Sequence, residues 1–144
     1  MTGREYLGQL SIITKRLWIL HEEIERRRAR LERITLPLKQ DHVQRSGKPD
    51  ALSDGIAALA DKEVEYSELL LTYEGRRMKI TTELLGLDNA IYAQLLYRIY
   101  VEEKTRAQTA AEMHYSPPYI STLQRKALEA FEKKYPELQS VNTI

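Results

Sequence analysis

With 144 residues, 30 % of them charged and only five prolines, the chain has the size and composition of one mainly helical protein with a water-facing surface. It has no cysteine, which excludes disulfides and thiolate metal sites and fits a reducing compartment. No apolar run approaches the roughly 18 residues needed to span a bilayer, and MTGREYLGQL lacks the apolar stretch of a secretion signal, so a cytoplasmic protein with no membrane partner is expected.

The first predicted element is a long helix. Apolar or aromatic residues stand at Tyr6, Leu10, Ile13, Leu17, Leu20, Ile24, Leu31, Ile34 and Leu38, in alternating steps of four and three interrupted only at Arg27. A second series runs Leu52, Ile56, Leu59, Tyr66, Leu70, Tyr73, Ile80, Leu84 and Leu87, interrupted at Glu63 and Arg77. Such spacing marks a coiled-coil seam. The polar stretch from Lys39 to Asp50 separates the two series, so residues 1–87 are expected to form an antiparallel coiled-coil hairpin turning at about 39–51. Charge agrees with pairing inside the chain: residues 1–48 carry eleven Lys/Arg against six Asp/Glu, and residues 49–87 carry four against eight. If Leu38 faces Leu52, then Leu31 faces Leu59 and Arg27 faces Glu63, an ion pair that would fix the register. Gly55 and Gly75 weaken the second helix. Trp18 lies off the seam, where partial burial against the hairpin is the simpler reading and a partner surface the alternative.

Residues 88–144 read as a separate helical domain. Asp88 opens a third helix with an apolar face of Ile91, Leu95, Leu96, Ile99 and Tyr100, and Thr105 can cap the next helix. Ala110, Met113, Tyr115, Ile120, Leu123 and Leu128 then space the apolar positions of a short helix, a tight turn and a second helix. Ser116 is a good N-cap, and Pro117 suits the first helical position, where no N–H is needed. This is the build of a helix-turn-helix, whose second helix enters a DNA major groove. Pro136 halts that helix, and the tail from Leu138 is expected to fray. The segment carries seven Lys/Arg against seven Asp/Glu, so it lacks the strong positive charge of many DNA-binding domains.

Residues 88–135 resemble region four of bacterial sigma factors, through Ser116, Ile120, Leu123 and the closing Lys126-Ala127-Leu128. The whole chain is similar to small phage and prophage proteins of Gram-positive bacteria, a group described either as of unknown function or as late-gene and autolysin-regulatory activators. Over the hairpin that similarity is architectural, plus the run Val43-Gln-Arg-Ser46. The chain departs from the family's pattern at His114, where glycine is usual, at Thr109, where a large aliphatic is preferred, and at Arg106, where phage relatives place an aromatic. The resemblance puts the base-reading positions at Pro118, Tyr119, Ser121 and Thr122, none of them a bidentate base reader. Gln124 is the candidate adenine reader, and Arg106, Arg125 and Lys126 are candidate phosphate clamps beside the cap at Ser116.

The expected function is a DNA-binding phage or prophage transcription regulator acting in the bacterial host cytoplasm. Double-stranded DNA is its first partner, and RNA polymerase and a second copy joined through the coiled coil are the further partners implied. A DNA-packaging accessory such as a small terminase subunit is the alternative from another class. A protein-docking module that has lost DNA binding is the third. No cofactor, metal site or enzyme activity is expected: His21, His42 and His114 are scattered, and no nucleotide-binding or nucleophile motif occurs.

Overall fold

The protein is all-α. A computed structural model describes residues 1–40 and 49–140, and no strand occurs among them. The elements are α1 (Gly3–Leu7), α2 (Gln9–Gln40), α3 (Pro49–Leu85), α4 (Ala90–Leu96) with a π-helical turn at Tyr97–Val101, α5 (Arg106–Met113), α6 (Pro117–Lys134) and a 3-10 turn at Pro136–Ser140. No helix among the described residues is long and apolar enough to cross a membrane. The expected turn falls largely on residues 41–48 which, with His42 and the Val43–Ser46 run, lie outside the described residues.

The chain forms two compact units, and they do not divide at residue 87 as the sequence suggests. One unit joins residues 1–14 to residues 73–144, and the other comprises residues 15–72. The physical reason is the core. Tyr6, Leu7 and Leu10 share one apolar cluster with Ile80, Leu84, Leu95, Leu96, Ile120 and Phe131, all at most 3 % exposed. The chain's first residues and the end of α3 therefore complete the core of the C-terminal helices.

Within this unit Thr2 caps α1, its hydroxyl accepting the N–H of Glu5 at 3.1 Å. Gly8 separates α1 from α2, so the first apolar series begins on a different helix from the rest. The rings of Tyr6 and Phe131 stack with centroids 5.9 Å apart. The Tyr6 hydroxyl donates to Glu83 Oε1 at 2.5 Å, and burial, reinforced by that carboxylate, pushes the phenol above its ordinary range. Tyr135 Oη donates to the Glu83 carbonyl at 2.7 Å. Leu138 is not frayed: it sits in the 3-10 turn, 7 % exposed, as part of the same core.

The cap of α4 is Asn89 rather than Asp88, its side-chain oxygen accepting the N–H groups of Ile91 and Tyr92 at 2.9 and 3.2 Å. Leu95 and Leu96 are fully buried and Ile99 and Tyr100 half-buried, but Ile91 faces solvent. The Glu102 N–H reaches back five residues to the Tyr97 carbonyl, closing the π turn. α6 packs on α4, α5 and α1, burying Ile120, Leu123, Ala127, Leu128 and Phe131.

In the unit of residues 15–72, α2 buries Leu17, Leu20 and Ile24, as its series predicts. The contacts run antiparallel: the His21 ring lies 6.5 Å from Tyr66, Arg28 bonds Glu63 at 2.9 Å, and the Gly55 Cα approaches Leu31 so closely that an added Cβ would lie 3.0 Å from its methyl. Leu31 thus meets Gly55, about one helical turn away from Leu59. The predicted pair changes accordingly: Glu63 is engaged by Arg28, not Arg27, and the Nε of Arg27 is buried with no hydrogen-bond partner. The Arg28–Glu63 pair is about half exposed, so its contribution is about 0–1 kcal/mol. On α3 the inward positions are Leu52, Leu59, Lys62, Tyr66 and Leu69, while Ile56 and Leu70 face solvent. Gly55 does not interrupt α3, and neither does Gly75 in the other unit. Trp18 is 64 % exposed, so the expected partial burial against its neighbours is not what the structure has.

Candidate nucleic-acid interface

The segment from Thr105 to Lys134 is built by local rules that its residues satisfy one after another. Thr105 caps α5 with a reciprocal pair of bonds: its hydroxyl accepts the Gln108 N–H at 3.1 Å, and the Gln108 side chain accepts the Thr105 N–H at 2.9 Å. Thr109 is fully buried where the resemblance prefers a large aliphatic. Its hydroxyl donates to the Thr105 carbonyl at 2.8 Å, so the side chain enters the core with its polar atom satisfied.

α5 ends at His114, whose φ of 61° and ψ of 39° place it in the left-handed region. The Tyr115 N–H then bonds the Ala110 carbonyl at 2.9 Å, and the His114 N–H bonds that of Ala111 at 3.3 Å. These paired bonds satisfy carbonyls that the helix end would leave open. A glycine would adopt this backbone without steric cost, and His114 adopts it with strain.

Ser116 opens α6, its hydroxyl accepting the Tyr119 N–H at 3.3 Å, and Pro117 follows at the first helical position. With the apolar side of α6 committed to the core, the outward side is fixed. Ser116, Pro118, Tyr119, Ser121, Arg125 and Lys126 are exposed and Thr122 is half-exposed. Neither Arg125 nor Lys126 has an ion-pair partner among the described residues. Tyr119, 48 % exposed, is steadied by Tyr115, whose ring meets it edge to face at 5.1 Å and 77°. The Ser121 and Thr122 hydroxyls turn toward the carbonyls of Pro117 and Pro118 at 3.5 and 3.4 Å, distances too long to hold them firmly.

Two of the predicted site residues behave differently from the rest. Gln124 is 5 % exposed and spends its amide inside the protein: Oε1 accepts from Arg106 Nε at 2.9 Å, and Nε2 donates to the Tyr100 hydroxyl at 2.9 Å. It has no face left for a base edge, so the expected adenine reader is a structural residue. Arg106 is exposed but held by that bond, its position defined by Gln124. Arg27 and Glu63 belong to the other unit.

Sequence reasoning missed the cluster beside α5. Glu112 accepts from both Arg98 and Lys104, the Lys104 bond leading the causes that hold its carboxyl below the usual range. Arg98 and Lys104 are thereby occupied. No spacing rule pairs residues 98, 104 and 112. The Thr105-x-x-Gln108 box, by contrast, was readable from sequence alone. Among the described residues no group of three His, Asp or Glu is placed to hold a metal ion.

No family model matches the chain, and neither the curated proteins nor the solved structures gave a match.

Proposed function

We propose that the chain is a DNA-binding regulator of transcription that docks α6 on duplex DNA. The observation that carries this reading is the outward face of α6. A capped helix, launched from a tight left-handed turn, offers hydroxyls and an aromatic in its first turns, and Arg125 and Lys126 beyond them, all outside the core. In such a contact the cations grip phosphates and set the orientation, while the side chains of the first turns meet base edges. Binding by one copy is weak, because the positions that meet base edges hold no bidentate reader, and it is salt-sensitive, because Arg125 and Lys126 hold it to phosphates. RNA polymerase, or a second copy of the chain, supplies the remaining affinity.

The test is fluorescence anisotropy with a randomised duplex pool at two salt concentrations. Binding should fall steeply with salt, and Arg125→Ala/Lys126→Ala should lower the salt slope by about two. The withdrawal of Gln124 into the core favours one second reading, a protein-docking module. It gains if a folded, helical protein binds no duplex at low salt.

A further inference from the structure

We infer that the duplex read by α6 is recognised through the C5-methyl groups of thymine, with Tyr119 and Thr122 as the contacting side chains. This rests on the DNA-binding reading above and specifies what that surface selects.

The outward surface of α6 is defined first by what it lacks. From Ser116 through Gln124, the only side chain ending in an amide or a charge is Gln124, and both ends of its amide are engaged by Arg106 and Tyr100. Guanine is best distinguished by paired donors to O6 and N7, adenine by an amide to N6 and N7, and cytosine by a carboxylate to N4. None of these devices stands in that stretch, and the Arg125 guanidinium just beyond it serves as a phosphate clamp. Single hydroxyls, as on Ser121 and Thr122, bond either base type and discriminate poorly.

What the surface does present is apolar. Tyr119 is half-exposed and oriented by its edge contact with Tyr115, so little side-chain freedom is lost when it meets a neighbour. Thr122 stands three residues on, next to it on the helix surface. Its side chain is half-exposed, with the hydroxyl 3.4 Å from the Pro118 carbonyl. The Pro118 ring is exposed beside them. Among the four base-pair orientations in the major groove, only those containing thymine carry an apolar group, the methyl at C5. An apolar, hydroxyl-bearing surface therefore gains most from A·T pairs with their methyls turned toward it.

The experiment selects sites from a randomised duplex pool with the full-length protein, then remakes the selected pool with deoxyuridine in place of thymidine. That exchange removes the methyl and leaves base pairing and phosphates unchanged. The selected sites should be rich in A·T pairs, and binding should weaken about fourfold per contacted methyl. Thr122→Ser, which deletes one methyl and keeps the hydroxyl, should narrow the thymidine-to-deoxyuridine ratio, with an unchanged helical spectrum showing that the fold is intact. Equal binding to the two pools, or selection of G·C-rich sites, overturns the thymine inference and leaves DNA binding standing. No binding to any duplex by the folded protein overturns both.

Discussion

Arg106 Nε donates to Oε1 of Gln124 at 2.9 Å, and through that amide the start of α5 is tied to the Tyr100 hydroxyl on the π turn. One side chain of α6 thus holds two other elements. Gln124→Leu keeps the bulk and removes both bonds, leaving Tyr100 and Arg106 without their partner. The expected loss is about 1–3 kcal/mol, measured by urea unfolding. An unchanged midpoint would show that Gln124 fills space and nothing more.

His114 occupies the left-handed region as a non-glycine residue, and its exposed side chain has no bond that requires histidine. His114→Gly should stabilise the protein by about 1 kcal/mol, since relief of steric strain outweighs the extra freedom of the unfolded chain. The melting temperature should rise by roughly 2–8 °C. His114→Val, branched at Cβ, should lower it.

The phenol of Tyr6 titrates above its ordinary range because burial, and next the Glu83 carboxylate, disfavour the phenolate. A raised value in the folded state means that this contribution is complete below the unfolded value of about 10 and is lost as pH climbs past it. Stability should therefore decline on the alkaline side. Tyr6→Phe should be less stable at neutral pH and show a flatter alkaline limb. Denaturant midpoints against pH, with phenolate absorbance alongside, decide the matter.

Two glycines near one another in sequence should respond in opposite senses. A Cβ at Gly75 would meet nothing within 4 Å, so Gly75→Ala should stabilise by about 0.5–1 kcal/mol through helix propensity. At Gly86 a Cβ would lie 2.2 Å from the Tyr135 hydroxyl, which must then leave the Glu83 carbonyl. Gly86→Ala should destabilise, as thermal melting of the two variants side by side would show.

The parts of the fold that sequence announces are those set by neighbours in the chain. The caps at Thr105 and Ser116, the turn at His114 and the entry of Pro117 depend on a few adjacent residues, and each stands where the residue pattern puts it. The register of α2 on α3 is another matter. Ile56 and Leu70 extend the apolar series, yet α3 turns Gly55, Lys62 and Leu69 inward and leaves both exposed. A hydrophobic count gives no weight to the aliphatic stem of a lysine or to the close approach a glycine permits. The apolar series fits either one-residue neighbour, and in the structure the Leu31 side chain packs on Gly55. The candidate interface was half legible for a similar reason. Exposure follows from helix periodicity, whereas the burial of Gln124 depends on Tyr100 and Arg106, which no local pattern links to it.

The shared core of the first and last segments also determines how this protein can be dissected. A fragment cut at residue 88 would keep every side chain of the proposed DNA contact, yet it would strip Tyr6, Leu7, Leu10, Ile80 and Leu84 from the faces of Leu95 and Phe131. Such a truncation is a poor reagent, prone to aggregate whatever its binding surface. A better excision follows the Gln9–Arg76 bond of 2.8 Å, which brings α2 and α3 together inside the unit. Bridging Thr14 to Tyr73 with a short flexible linker removes residues 15–72 and keeps the whole apolar cluster on which α6 rests.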